Sequence, residues 1–339
     1  MITIDGSKGE GGGQILRTSL SLSLITGKPF TIKNIRARRR NPGLRRQHLA
    51  SINAASEVGK AEVNGAETGS QLVTFLPRNV SPGVYDFSIG TAGSTTLVFQ
   101  TILPALMTQS EPSILSFEGG THNPLAPPYD FLEKTFVPVL NSMGTGISVN
   151  LLRYGFYPAG GGRFEASIGP RSQKELRFPT SLTSRGASKR ITAHILLCDL
   201  PQHIARRETE TLKKVIGEPL STRIHSGDSD SPGNAVTVQI ATDTICETVS
   251  VVGQKGIRAE AVAQEAARET LYYIESGACV GPHLTDQILL PLALCGKGEF
   301  TTVRPTTHTI TNMETIGEFM EVSFRTEQVH ENMWLISLG

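Results

Sequence analysis

The chain has 339 residues and a net charge of +1, from 32 basic and 31 acidic side chains. That is long enough for a large core and for two domains, and it excludes a global electrostatic preference for nucleic acid or membrane, so any polyanion site must be local. The longest apolar stretches, such as residues 288–294, fall far short of the roughly 18 consecutive apolar residues a membrane-spanning helix needs.

MITIDGSKGE lacks a basic segment followed by an apolar one, so a cytoplasmic protein is expected. Directly after it, GEGGGQILRT (residues 9–18) places a glycine run ahead of a helix-like segment. Bare backbone N–H groups and a helix N-terminus both favour an anion. The run nevertheless fits neither GxxxxGK[ST] nor GxGxxG: Gln14 follows Gly13, and the next lysine is Lys28. Glu10 has the wrong sign to face a phosphate unaided. A carboxylate there either holds a divalent cation that bridges to phosphate oxygens or simply starts the helix.

From Gln14 a pattern begins that occurs three times, at 14–40, 96–123 and 286–312: an apolar helix-like segment, a turn, a β-rich strand and a polar loop. In the first two copies a second amphipathic stretch follows, near 44–58 and 128–143, before strands return. Each unit is therefore expected to be of βαβαβ type, a sheet with helices on one face. The third copy continues through TIGEFMEVSF and ENMWLISL, whose strands complete the same body. A second glycine run, YPAGGGRFE (157–165), reads as a hairpin or bulge.

The stretch 184–277 differs in character. It reads as a strand at 190–197, a helix at 203–216, a strand near Thr222, strands at 235–241 and 245–252, and a helix at 258–274, with GDSDSPGN (227–234) as a plain turn. The expected fold class is thus α+β: a repeat-built catalytic domain from residues 1–183 and 278–339, and a small inserted α/β domain at 184–277 with a topology similar to thioredoxin's. No CxxC pair accompanies it. The four cysteines, Cys198, Cys246, Cys279 and Cys295, are widely spaced, which argues against a structural zinc site or disulfide framework.

Positive charge concentrates early. Between Glu10 and Glu57 there is no acidic residue, while Arg17, Lys28, Lys33, Arg36, Arg38, Arg39, Arg40, Arg45 and Arg46 all fall there. A planar guanidinium binds phosphate through two parallel N–H···O bonds; a solvated basic face is the plainer alternative. The loops after the three repeat strands carry Arg36 to Arg40, His122 and His308, which would converge if the repeats pack around one axis. His308 is flanked by Thr306, Thr307, Thr309 and Thr311. A neutral histidine offers a ring lone pair to phosphorus, although a lone histidine is more often structural.

Seven stretches occur in one order: EGGGQILR, RxxRxxPGLxxQH from Arg36, GTAGSTTLVFQ, GGTHNPLAPPYDF, GFYPAGGG, DQxxxPLAL from Asp286, and HTITN from His308. Over essentially its whole length the chain resembles the RNA 3′-terminal phosphate cyclases. The resemblance implies repeats similar to those of the enolpyruvyl transferases, with a smaller inserted domain. It also implies a ligase-type reaction in which ATP adenylylates a histidine, matched by His308. AMP then passes to an RNA 3′-phosphate, and the vicinal 2′-OH closes a 2′,3′-cyclic phosphate.

Carried over by position, Arg17, Arg36, Arg39 and Gln47 are expected near the phosphates of ATP or RNA. Gln100, Pro127, Phe131, His283, Asp286 and Gln287 are expected near the nucleotide, with Phe131 stacking on adenine. Glu10 is expected to hold Mg²⁺ or Mn²⁺. Arg38 and Arg40 fall at variable positions of the pattern, as further RNA-backbone contacts or as solvated charge. ATP and a 3′-phosphorylated RNA are the expected partners, with no membrane; a homo-oligomer stays open. Two alternatives stand beside this reading: a non-catalytic cyclase-like protein of ribosome assembly, and an enolpyruvyl transferase-like enzyme.

Overall fold

A computed structural model describes residues 1–9, 11–187 and 189–339. The first unit comprises β1 (Ile2–Asp5), α1 (Gly13–Thr26), β2 (Phe30–Lys33), α2 (Arg46–Gly59), β3 (Glu62–Asn64) and β4 (Val73–Leu76). Its sheet runs β1-β2-β4-β3, with β1 parallel to β2 and Ile2 opposite Phe30.

The second unit repeats that order with β5 (Val84–Ser88), α3 (Thr95–Leu106) and β6 (Ser113–Gly119). A helix follows whose ends are α4 (Tyr129–Phe131) and α5 (Val137–Ser142) and whose middle, Leu132–Phe136, has π geometry; then come β7 (Ile147–Arg153) and β8 (Gly162–Ile168). The sheet runs β5-β6-β8-β7. Each complete unit is thus βαβαββ, one strand longer than the βαβαβ expected, because the return to the sheet is a hairpin.

The segment that follows builds a separate sheet. It contains β9 (Lys189–Cys198), α6 (Gln202–Ile216), β10 (Leu220–Ser226), β11 (Gly233–Thr242), β12 (Cys246–Val252) and α7 (Ala259–Ser276). The strands run β10-β9-β11-β12, with β10 parallel to β9 and the other pairs antiparallel. Its apolar cluster includes Ile195, Leu212, Val236, Val238, Ala263 and Tyr273. Helix α7 buries Val262, Ala263, Ala266, Ala267 and Tyr273, the apolar stripe of its own sequence, against α6 and the sheet.

The third unit has α8 (Pro282–Cys295), β13 (Gly298–Thr302), α9 (Thr307–Phe319), β14 (Phe324–His330) and β15 (Met333–Leu338), with sheet order β13-β15-β14. In place of a first strand it has a single parallel bridge, Val280 to Thr302. Two expectations change here. Residues 306–312 are not a polar loop but the cap and first turns of α9, and TIGEF continues that helix instead of forming a strand.

One large apolar cluster joins all three units. Helices α1, α3 and α8 are buried over most of their lengths, and α1 packs against α2, α3 and α9. Buried serines on α1 are satisfied locally: Ser19 Oγ donates to Ile15 O at 2.7 Å, and Ser21 Oγ reaches across to Thr101 O at 2.6 Å. These bonds let a serine-rich helix sit at the centre of the body without stranded polar groups.

The turn at 227–234 does more than reverse the chain. Arg153 on β7 donates from Nη1 to Asp230 Oδ2 at 3.0 Å, and Ala159 N–H donates to Ser231 Oγ at 3.0 Å. Gly161 is in left-handed backbone (φ 66°), where a Cβ would lie 2.0 Å from Asp230 Oδ2. The second glycine run is therefore a docking face for the third sheet's turn, and glycine there permits the close approach.

Candidate active site

Two helix N-termini from opposite ends of the chain meet at His308. Ahead of α1, Gly9 (φ 52°) and Gly11 (φ 62°) adopt left-handed backbone, and a Cβ on Gly9 would lie 1.9 Å from Thr311 Oγ1. The opening glycine run therefore lies directly against α9. Gln14, in the first turn of α1, faces His308 in the first turn of α9: His308 Nδ1–H donates to Gln14 Oε1 at 2.7 Å.

The first turn of α9 is fixed by its own threonines. Thr306 Oγ1 accepts from Thr309 N–H at 3.1 Å, and Thr309 Oγ1 accepts from Thr306 N–H at 3.2 Å, a reciprocal cap. Thr309 Oγ1 also donates to Asp286 Oδ1 at 2.6 Å. Asn312 Nδ2 donates to the Asp286 carbonyl at 2.6 Å, and Thr18 Oγ1 donates to Asn312 Oδ1 at 2.8 Å. Helices α1, α8 and α9 are thereby laced together around one point.

The electrostatics follow from this packing. Partial burial holds the His308 imidazole below its ordinary value, Asp286 pulls it up, and Arg39, Arg17 and His283 push it further down. Burial raises the Asp286 carboxyl, against the Thr309 hydroxyl and the two histidines. The Arg17 guanidinium is lowered to about 10 by burial and so stays charged at neutral pH. His48 is held down to about 3, first by burial and then by Arg17, Arg36 and Arg45. Its Nδ1 accepts from Arg45 N–H at 3.0 Å, which leaves the ring proton on Nε2. A Cβ on Gly13 would lie 2.5 Å from that Nε2 and 2.8 Å from Arg17 Nη1.

The remaining expected residues divide. Gln100 on α3 donates through Nε2 to Gln287 Oε1 on α8. Pro127 is half-buried, and its carbonyl accepts from Thr96 Oγ1 at 2.7 Å. Phe131 is 2% exposed and belongs to the core cluster, so its ring is packed by protein on its faces. His283 is exposed, with Nε2 at 3.9 Å from Glu269 Oε2 on α7, and that carboxylate raises it. It borders a cavity of about 250 Å³ shared with Glu247, Tyr272 and Tyr273. Arg36, in left-handed backbone, spends Nη1 on the carbonyls of Asn41 (2.7 Å) and Gly43 (2.9 Å), closing its own loop. Gln47 lines a groove with Arg45, Arg46, Thr68 and Thr91. Glu10 lies outside the described residues.

Only two of the three post-strand loops converge. His122 is 1% exposed; its Nε2 lies 2.7 Å from Asp130 Oδ2, its Nδ1 2.9 Å from Thr121 Oγ1, and its ring stacks on Phe156. It is a packed, fully bonded histidine of the second unit. Gln14 is a site residue the motifs do not single out, although the sequence carries a signal: each repeat helix contains a glutamine, in QILR, FQTIL and DQILL, and all three, Gln14, Gln100 and Gln287, take part in contacts between units.

The junction of α1, α8 and α9 gathers a histidine, an acid and arginines, side chains suited to phosphoryl or nucleotidyl chemistry. The family model described as RNA 3′-terminal phosphate cyclase matches residues 8–326. A protein of Koribacter versatilis (strain Ellin345) with that name is 51% identical over 342 aligned residues, covering 100% of this chain and 95% of the relative. One of Salmonella agona (strain SL483) is 44% identical over 331, covering 98% and 95%. The chain belongs to the RNA 3′-terminal phosphate cyclase family. Among solved structures, EPSP synthase from Acinetobacter baumannii aligns at 12% identity and TM-score 0.29, over 99% of this chain and 64% of that one; so loose a likeness carries no argument. No helix among the described residues is long and apolar enough to cross a membrane.

Proposed function

We propose that this chain converts an RNA 3′-terminal phosphate to a 2′,3′-cyclic phosphate with ATP as co-substrate, and that His308 is the residue that receives AMP. The observation that carries the assignment is the hydrogen bond from His308 to Gln14. An amide oxygen only accepts, so Nδ1 holds the proton and Nε2 of the neutral ring holds the lone pair. With the imidazole depressed below its ordinary value, that neutral form dominates at physiological pH.

In the first step Nε2 attacks the α-phosphorus, a P–N bond forms, and the bond to pyrophosphate breaks. Arg17 and Arg39, which lie close enough to His308 to depress it, and the α1 and α9 N-termini offset the charge gathering on the phosphate oxygens. In the second step a 3′-phosphate oxygen attacks the same phosphorus, the P–N bond breaks, and the histidine is restored. In the third, the 2′-OH attacks the RNA phosphorus and AMP leaves. Asp286 favours transient positive charge on the ring and so assists its formation and departure.

Gln100, Pro127, His283 and Gln287 fit a nucleotide-binding wall on α3, α8 and the segment between them; Phe131 supports that wall from within. Arg36 and Gln47 flank the phosphate side. Among the described residues no three ligating side chains come together. Mg²⁺ or Mn²⁺ takes one or two carboxylates beside phosphate oxygens and water. Glu10 is the residue that would hold it, and bound there it would neutralise phosphate charge. No observation favours the non-catalytic or the enolpyruvyl transferase reading.

The test is incubation with α-labelled ATP and Mg²⁺, then denaturing electrophoresis and acid treatment. Acid-labile label is expected on the wild type and on His122→Ala and not on His308→Ala; equal labelling of His308→Ala would overturn the assignment.

A further inference from the structure

We propose that the groove beside Gln47 carries the RNA strand upstream of its 3′ end, and that Arg45, Arg46, Thr68 and Thr91 hold the phosphodiester backbone there. The proposal rests on the reading above that this chain acts on RNA, and it names where the rest of that RNA goes. The groove measures about 470 Å³ and runs between loops of the first and second units, lined by those four residues with Gln47 and Gly93.

The groove is built, not incidental. Arg45 is the N-cap of α2 and Arg46 its first residue, so both side chains stand at a helix end that already favours an anion. The opposite wall, the loop carrying Thr68, is hydrogen-bonded to the segment just before the arginines: Gly69 N–H donates to Leu44 O and Leu44 N–H to Ser70 O, each at 2.9 Å. Gly43, in left-handed backbone at φ 76°, makes that contact possible, because a Cβ there would lie 2.1 Å from the Gly69 carbonyl. Thr91 comes from the loop ahead of α3, so the second unit supplies the far end.

The charge is poised for a polyanion. Arg78, Arg163, Arg207 and Arg153 have carboxylate partners, Glu62, Glu118, Glu260 and Asp230. Among the described residues neither Arg45 nor Arg46 has one, and no acid falls in the sequence between Glu10 and Glu57. Glu67 precedes Thr68 yet forms no ion pair with either arginine. Arg45 also depresses Arg36 and His48, so positive charge gathers at this helix end. Such charge is relieved by a phosphodiester backbone with release of counterions. Guanidinium and hydroxyl groups in this role hold phosphate and sugar, contacts that carry no sequence information. In the proposed function Gln47 flanks the phosphate side, and Arg45 and Arg17 both lie close enough to His48 to depress it, which links the groove to the helix end beside His308.

The test compares kcat/KM on a decamer and on a dinucleotide, each with a 3′-phosphate, for the wild type, R45A/R46A and R45K/R46K, with R78A as the control for loss of surface charge. For R45A/R46A the decamer is expected to lose about tenfold and the dinucleotide less than about twofold, with a flatter salt dependence for the decamer. R45K/R46K should recover most of the loss, and R78A should match the wild type. Equal losses on both substrates, or none on the decamer, would overturn the groove. If the wild type cyclises neither substrate, the proposed function fails. Fluorescence anisotropy of a labelled decamer then decides the groove separately: it stands if R45A/R46A weakens binding and falls if it does not.

Discussion

Asp286 and His308 each favour the charged form of the other, while burial opposes charge on both. In the proposed reaction the neutral ring is the nucleophile, so the acid limb of self-adenylylation would mark protonation of His308 and is expected below its ordinary value of 6.5. Asp286→Asn keeps an acceptor for the Thr309 hydroxyl and removes the negative charge that raises His308. The acid limb is expected to move to lower pH, read as the rate of labelling against pH; an upward shift would contradict the arrangement. His308 was legible in sequence because its motif is local. The partner that sets its tautomer was not: Gln14 lies 294 positions away, and only the packing of α1 on α9 aims its amide.

At the scale of elements, α9 is the least legible part of the site. Its start, TTHTIT, is rich in β-branched residues, which disfavour helix and suggest loop or strand. The helix forms because Thr306 and Thr309 cap one another and because Ile316 and Phe319 are fully buried against the core. Thr306→Ala removes the side-chain acceptor for Thr309 N–H and is expected to cost about 1 kcal/mol of stability. It should also slow self-adenylylation, since Thr309 bonds Asp286 from the same turn; Thr306→Ser should restore both. A thermal melt and a single-turnover labelling rate check this, and a variant with wild-type values for both would remove the cap from the account. By contrast α3 and α8 are readable as buried helices from their apolar runs, and α1, whose Ser-Leu alternation alone would suit a strand, from its place in the same repeat. Their prolines, Pro104 and Pro291, sit inside α3 and α8 without ending them, because packing on all sides holds the chain helical.

Across the whole molecule, Glu247 joins the third sheet to the active-site helices. It is 3% exposed on β12, and its Oε2 accepts from Gly281 N–H, the N-cap of α8, at 2.7 Å. Burial raises it to about 7, and Glu208, bonded by Asn234 at 3.1 Å, is raised likewise. Both carboxyls prefer the protonated form when folded. Their contribution is full below the unfolded value of 4.5 and is lost as pH rises through about 7. Tm should therefore fall across that window. Glu247→Gln keeps the acceptor without the charge and should flatten the fall, gaining on the order of 1–3 kcal/mol above pH 7. A Tm for Glu247→Gln below that of the wild type at pH 8 would contradict it.

The sequence by itself determined the repeats, the separate character of the 184–277 stretch, the concentration of arginines and the position of His308, because each is carried by composition or by motifs within a few dozen residues. Tertiary structure alone decided which of these meet. It brought the first turn of α1 to the first turn of α9, turned His122 inward against Asp130, packed Phe131 into the core and set the 227–234 turn on the second glycine run. Periodicity tells which face of an element is buried. Which polar group points at which other group depends on helix ends from distant units being packed together, and that information resides in the assembled core.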